Sequence, residues 1–479
     1  MALFFMPYYI DTMGAEAFAL IGVFIALSNI LSIIDMGISP TLNRELAAGS
    51  VSNNIEIMRN TLRSLEYIYI PMLILLALLL LALSPMIAEG WLNHNKLPVS
   101  VITQSIQLMS VVIALHFLIN FYSAGILGLQ LQVVFNIINA VMITIRYMGV
   151  IPIMLYFSPS PVVFFLWQLL VSLIHVFLVK SVLWNKISLS EHQPIFNPKI
   201  IHSIWRFSIG VSLINILGVL TMNMDKIFLS KMLSLEEFGY YSMASIIAMS
   251  IAPRLASPFF TAFYPNFTQC IKLNARDKLI SLYHQGSFLV AMATIPITVF
   301  IVFYANPILL LWTDSPVITE HTSTLLVLLT IGCFFNAIMY IPYAIQLAYG
   351  WTTLTIYSNA ISLLSIIPLM IYLYSDYGVD GVAYAWLIVN LLATVIGINI
   401  MHNRLLKGEG TRWFIYDNGL ILLLVLIAVV ILMAVNNGHS LWQLGLVLGS
   451  LYLMPLLIVP KQIRNIIHSI RERFNHGSK

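Results

Sequence analysis

Apolar runs long enough to cross a bilayer follow one another along the whole of the 479-residue chain, and that succession limits what it can fold into. A spanning helix needs about 20 apolar residues to cover a hydrocarbon core of about 30 Å. Runs bounded by charge, Pro and Gly fall at 2–10, 18–36, 67–88, 101–128, 131–157 and 161–184. A second set lies at 207–229, 238–266, 285–312, 322–347, 351–374 and 379–401, and two more at 414–435 and 441–460. With 60% hydrophobic and 9% charged residues, against roughly a quarter charged in a soluble domain, the composition suits a bilayer as solvent. The fold class expected is an all-α polytopic membrane protein of about 14 transmembrane segments. The first run rises only about 15 Å as a helix, which suggests a truncated start. It also lacks the basic head and small-residue cleavage site of a signal peptide.

The positions of the basic residues test this segmentation, because cytoplasmic connections carry the excess of Lys and Arg. With the N-terminus inside, 18 of the 23 Lys and Arg fall on inner connections or the tail. These are Arg44, Arg59 and Arg63; Lys180, Lys186, Lys199 and Arg206; Lys272, Arg276 and Lys278; Arg404, Lys407 and Arg412; and five between Lys461 and Lys479. Outer connections carry acids instead, among them Asp11, Glu16, Glu89, Glu236, Glu237, Asp314, Glu320, Asp376 and Asp380. Both termini are thus expected in the cytoplasm. This distribution leaves no surface for nucleic acid, and Cys270 and Cys333 have neither metal nor redox spacing. No metal site and no resident cofactor are expected. Outer connections are no longer than roughly a dozen residues, too short for a catalytic or receptor domain. Function must lie between the helices.

A shift of 220 residues brings Glu16 and Phe18 onto Glu236 and Phe238, and Asn139 and Ala140 onto Asn359 and Ala360. Trp167 falls one residue from Trp386. Six crossings return the chain to its starting side, so the expected repeat is parallel, about an axis along the membrane normal. The domain plan is an N-terminal six-helix lobe over 1–184, a cytoplasmic linker over 185–206 and a C-terminal six-helix lobe over 207–401. Two extra helices over 402–460 and a basic tail over 461–479 complete it. The pseudo-symmetric lobes would enclose a central cavity.

Three stretches carry a family resemblance: MGAEAFALIGVFIALSNILSIIDMGISPTLNREL at 13–46, MDKIFLSKMLSLEEFGYYSMASIIAMSIAPRLASPFFTAFYPNFTQ at 224–269, and YGVDGVAYAWLI at 377–388. They resemble the oligosaccharide flippases, including the O-antigen flippases, of the polysaccharide export branch of the multidrug/oligosaccharidyl-lipid/polysaccharide exporter superfamily. The resemblance implies two six-helix lobes, a cavity lined largely by segments 1, 2, 7 and 8, and alternating access. It implies a polyprenyl-diphosphate-linked oligosaccharide as substrate in a bacterial inner membrane. Membrane lipid and other polysaccharide assembly proteins are the further partners expected. Coupling to a proton or sodium gradient stays open.

A diphosphate headgroup calls for cationic donors, and the planar fork of arginine binds phosphate oxygens in pairs. Charges at mid-membrane cost at least a few kcal/mol, so Arg146 and Arg254 need a reason. Arg254 lies between Pro253 and Pro258, where irregular backbone must pack on protein or line a cavity. It is expected to contact substrate or gate its entry; the alternative is a structural arginine that bonds freed carbonyls or snorkels. Arg146 is placed about 20 Å from the inner side and Asp225 about 27 Å, depths that allow an ion pair between them. Alternatively, Asp225 and Lys226 form an interfacial pair. Asn29, Asn215 and Asn223 are candidate sugar ligands or interhelical contacts. Asp35 is expected to cap or anchor the turn into the loop, and its neighbours Asn43, Arg44 and Glu45 are the alternative candidates for a cytoplasmic gate. Tyr8, Tyr9, Tyr240 and Tyr241 fall where an exit vestibule would stack sugars. His116 and His175 are either titrating groups or packed contacts.

Two other functions are compatible with such a chain. An ion-coupled multidrug exporter of the same superfamily would share the architecture but call for buried acids. A membrane polysaccharide polymerase or sugar transferase would need outward catalytic loops, for which Asp376 and Asp380 are the nearest match.

Overall fold

Hydrocarbon offers no partner for backbone N–H and C=O groups, so apolar runs satisfy them internally as helices. The computed structural model describes residues 2–35, 37–51, 54–187, 195–196, 216–435 and 441–458. Among these the regular structure is helical, save one isolated bridge between Asn93 and Ser234. Asn215, most of the 185–206 linker and the basic tail lie outside the described residues.

The first helices are α1 (Ala2–Met13), α2 (Ala15–Leu31), α3 (Ile38–Val51), α4 (Ile55–Gly90), α5 (Val99–Gly128), α6 (Gln132–Met148), α7 (Val150–Tyr156) and α8 (Pro161–Lys186). Residues 216–232 form α9. Next come α10 (Leu235–Lys272), α11 (Arg276–Thr313), α12 (Pro316–Ile338), α13 (Tyr340–Ala348) and α14 (Thr353–Leu405). A short α15 (Gly410–Arg412) passes through a π-helical stretch (Trp413–Gly419) into α16 (Leu420–Val435), and α17 (Leu441–Ile458) follows. Local chemistry sets several starts. The Asn54 side chain accepts from the Ile57 N–H at the head of α4, while Ser160 and Ser315 cap α8 and α12 just before a proline at the first helical position.

Among the described residues, ten helical stretches are long and apolar enough to cross a membrane, and the chain is an all-α polytopic membrane protein. The expected runs at 131–157 and 322–347 are each built as two consecutive helices. Those at 351–374 and 379–401 share α14, broken at Gly378, whose φ of +57° only glycine adopts cheaply. Helix α3 is not among the expected spans, because Asn43, Arg44 and Glu45 dilute its apolar content. Its Leu42 and Leu46 are nevertheless fully buried in a core with Leu62, Tyr69, Phe121 and Leu183.

The chain divides into two units, Met1–Ser242 and Met243–Lys479, with the division inside α10. In the first unit α2 and the opening turns of α10 approach closely. A Cβ on Gly22 would lie 2.3 Å from Ser242 Oγ, and one on Gly239 2.7 Å from the Ala15 carbonyl oxygen. Small residues let two backbones approach like this where no hydrophobic force drives association. The α4–α5 connection is stitched to the same region. The carboxylate of Glu16, 4% exposed, accepts from the backbone N–H groups of Asn95 (2.7 Å), Lys96 (2.7 Å) and Leu97 (3.0 Å). Asn93 Nδ2 donates to the carbonyls of Lys231 (2.9 Å) and Leu233 (3.1 Å), and Trp91 Nε1 to Ser230 Oγ (2.9 Å). Lys96 reaches Glu236 at 2.6 Å, a hydrogen bond and charge that raise the lysine above its ordinary pKa.

Candidate functional site

At 1.5 Å per residue the 38-residue α10 is about 57 Å long, far longer than a hydrocarbon core, so its middle lies at membrane depth. Arg254 stands roughly 27 to 29 Å from either end. Around it Ser250, Arg254, Ser257, Thr261, Tyr264 and Thr268 recur at alternating steps of four and three, which places them on one helix face. Arg254, Ser257, Thr261 and Tyr264 are exposed, and Ser250 and Thr268 half-buried. Arg254 makes no ion pair or hydrogen bond among the described residues. A guanidinium bare to hydrocarbon would cost several kcal/mol, so Arg254 calls for a polar neighbour at that depth.

Aromatic rings adjoin the stripe. Phe260 stacks on Tyr264 and on Tyr343 of α13, each at 5.8 Å between centroids, with Tyr340 edge-on at 6.3 Å. Such faces are broad, flat and apolar, with hydroxyls at their rims. The hydroxyls of Thr261 and Thr268 bond back to the carbonyls of Ser257 (3.2 Å) and Tyr264 (3.1 Å), which hides part of their polarity from a spanning helix's surroundings. Of this face, sequence reasoning had singled out only Arg254; the four-three spacing of its hydroxyl neighbours was the signal for the rest.

The other arginine at membrane depth has a different setting. Arg146 is 8% exposed; Nη1 contacts His116 Nε2 on α5 and Nη2 donates to Ser172 Oγ on α8 at 3.3 Å. The pairing with Asp225 expected as one alternative does not form. Asp225 is fully buried and accepts from the Tyr241 hydroxyl at 2.5 Å and from Lys226 Nζ at 3.3 Å, so nearer donors on α9 and α10 satisfy it. His175 is buried near Arg146 on α8, and its two ring nitrogens have no hydrogen-bond partner among the described residues.

The remaining candidates make contacts within and between helices. Asn29 Nδ2 donates to Asn223 Oδ1 at 3.2 Å, and Asn223 Nδ2 to the Val219 carbonyl at 2.8 Å. Asp35 accepts from Ser39 Oγ (2.7 Å) and the Tyr69 hydroxyl (2.6 Å), anchoring the turn between α2 and α3. Tyr9 donates to the Tyr147 carbonyl at 2.6 Å and Tyr240 to Glu236 at 3.1 Å. Tyr9, Tyr240 and Tyr241 are buried, and Tyr8 places its hydroxyl in the interior, so these rings fill space rather than offer faces. The rings stacked beside an exposed polar face are instead Phe260, Tyr264 and Tyr343.

Three comparisons bear on this arrangement. The family model described as polysaccharide biosynthesis protein matches residues 14–315. A candidate O-antigen transporter of Shigella flexneri is 22% identical over 384 residues, covering 78% of this chain and 87% of its own length. Among solved structures, the lipid II flippase MurJ in an inward closed conformation has a TM-score of 0.65 at 17% identity, over 94% of this chain and 98% of its own. An inward-facing multidrug resistance MATE family transporter of the MOP superfamily gives 0.66 at 14% identity, over 84% and 94%. At these identities the solved structures speak to the fold.

Proposed function

The chain belongs to the polysaccharide biosynthesis protein family, and from that premise we propose that it is a flippase moving a polyprenyl-diphosphate-linked oligosaccharide across the bacterial inner membrane. The observation that carries the proposal is the exposed Arg254, without a partner among the described residues, at the middle of a polar face on a spanning helix. A headgroup that crosses about 30 Å of hydrocarbon needs a wet path, while its polyprenyl tail can stay in lipid. The Arg254 fork offers the diphosphate paired, charge-assisted hydrogen bonds. Ser257, Thr261 and Tyr264 offer hydroxyls to sugar, and the Phe260–Tyr343 stack offers an apolar face. The path would open to one side of the membrane at a time, both termini being cytoplasmic. Coupling to a proton or sodium gradient belongs to this proposal.

The fold is shared with a multidrug transporter. A cationic drug would call for a deep acid without a partner, whereas the deep charge on α10 without a partner among the described residues is a cation, which favours an anionic headgroup. The relatives are transporters, and transport rather than bond-making chemistry is proposed here.

Depletion of the protein should accumulate lipid-linked oligosaccharide on the cytoplasmic leaflet while efflux of a cationic dye continues unchanged. Arg254→Ala should fail to restore surface polysaccharide at normal membrane abundance, and Arg254→Lys should restore part of it. Altered dye efflux with no accumulated sugar lipid would instead identify a multidrug exporter.

A further inference from the structure

A second set of ionisable side chains lies in the Met243–Lys479 unit, where the N-terminal turns of α11 meet the residues around the π-helical stretch. The imidazole of His284 contacts a carboxylate through each nitrogen: Nδ1 lies 2.5 Å from Asp417 Oδ2, and Nε2 lies 2.9 Å from Glu409 Oε2. His284 and Asp417 are almost wholly buried, at 4% and 3%, whereas Glu409 is 23% exposed. Glu409 precedes α15 and Asp417 stands within the π-helical stretch, so the ring ties α11 to the segment that leads into α16 and α17. π-Helical turns often mark functional positions, because they break the regular hydrogen-bond ladder.

Hydrogen-bond chemistry fixes what this arrangement demands. A neutral imidazole has one N–H and one lone pair, and an ionised carboxylate only accepts. Two carboxylates can therefore both be bonded by one ring only while the ring is a doubly protonated imidazolium, or while one acid holds the extra proton. Either way the trio binds one proton beyond the neutral-ring, ionised-acid state. Loss of that proton sets a lone pair against a carboxylate oxygen. The bond that gives way is the one to Glu409, since its carboxylate reaches water and Asp417 does not.

The neighbouring histidine shows the contrast. His402 of α14 faces the Ile398 carbonyl through Nδ1 (3.0 Å) and the Tyr283 hydroxyl through Nε2 (3.0 Å). A carbonyl only accepts and a hydroxyl donates, so a neutral His402 satisfies both. Other groups near His284 are Arg412, which acts on Asp417 through its charge, and Trp413, whose Nε1 donates to Ser287 Oγ at 3.1 Å. Helix α16 carries no titratable side chain. On α17 the Tyr452 hydroxyl donates to the Ala293 carbonyl at 2.9 Å. Among the described residues no side chain of α10, α12 or α13 bonds to the His284 ring.

We propose that His284, Asp417 and Glu409 form a proton-binding site that fastens the α15–α17 segment to α11, so that the fastening loosens when the proton leaves. On release, the Nε2 proton passes to water by way of the exposed Glu409 edge, and the neutral ring keeps its Nδ1–H on Asp417. The proposal is independent of the substrate, because the ligand is the proton alone.

Hydrogen–deuterium exchange of the full-length protein in nanodiscs from pH 5.5 to 9, corrected for the intrinsic rate, tests it. Protection of peptides over 406–420 should fall as pH rises, by up to about tenfold per pH unit across the transition, the limit for one proton. Peptides over α12 should stay constant and report that the unit is folded. His284→Gln should exchange at the high-pH rate throughout. Glu409→Gln should stay protected throughout, because an amide can donate to a neutral Nε2. Wild-type protection that is flat with pH, or a wild-type slope in either variant, would overturn the site.

Discussion

The two arginines at membrane depth occupy opposite circumstances. Arg146 is enclosed by α5, α6 and α8, with His116 and Ser172 on its guanidinium. Arg254 projects from a proline-bearing helix, exposed and without a partner among the described residues. Both carry the same charge past the same hydrocarbon, yet one donates to protein acceptors and the other has no such acceptor among the described residues. A charge already bonded contributes to structure; a charge without a protein partner is open to a ligand. The Glu16 carboxylate, saturated by three backbone N–H groups, belongs with Arg146 on the structural side.

That contrast can be broken by substitutions that should fall into two classes. The largest effect expected is from Arg254→Glu, which puts a like charge in the path of a diphosphate: export should vanish while membrane abundance and melting temperature stay at wild-type level, read by surface polysaccharide staining and thermal unfolding. Arg146→Ala should do the reverse in kind, lowering stability by on the order of 2–4 kcal/mol through a cavity and two stranded polar partners, measured as a fall in melting temperature. Glu16→Ala strands the N–H groups of Asn95, Lys96 and Leu97 and should cost about 1–3 kcal/mol, with the α4–α5 connection losing exchange protection first. Lys96→Ala takes an exposed lysine from its pair with the half-buried Glu236 and should lower the melting temperature least of these. Because Lys96 is raised by Glu236, its contribution is present below the usual lysine range and is lost as pH climbs through the raised value. If Arg146→Ala blocked export at unchanged stability, the division between the two arginines would fail.

How much of this was legible in the sequence differs between fold and site. Span positions follow from apolar length, which a bilayer enforces, so α4, α5, α8 and α11 lie where the runs lie. Helix α3 escapes such a reading because its polar residues disguise a buried face of Leu42 and Leu46. Arg254 stands out by its charge, whereas Ser257, Thr261 and Tyr264 stand out only by spacing. Asp225 and Arg146 shared a depth but not a direction, and depth alone cannot say which way a helix face points. The His284 trio joins residues 125 and 133 positions apart, with no local pattern to announce it.

The central claim is that the Arg254 face of α10 is wet, and labelling tests it most directly. With Cys270 and Cys333 replaced by alanine, single cysteines are placed along 250–268 and treated in membranes with a charged, water-borne thiol reagent. Ser250→Cys, Arg254→Cys, Ser257→Cys, Thr261→Cys, Tyr264→Cys and Thr268→Cys should react, and cysteines at the buried Ala252, Ala256 and Phe267 should not. Uniform silence along the helix, or reactivity without the four-three rhythm, would contradict the account.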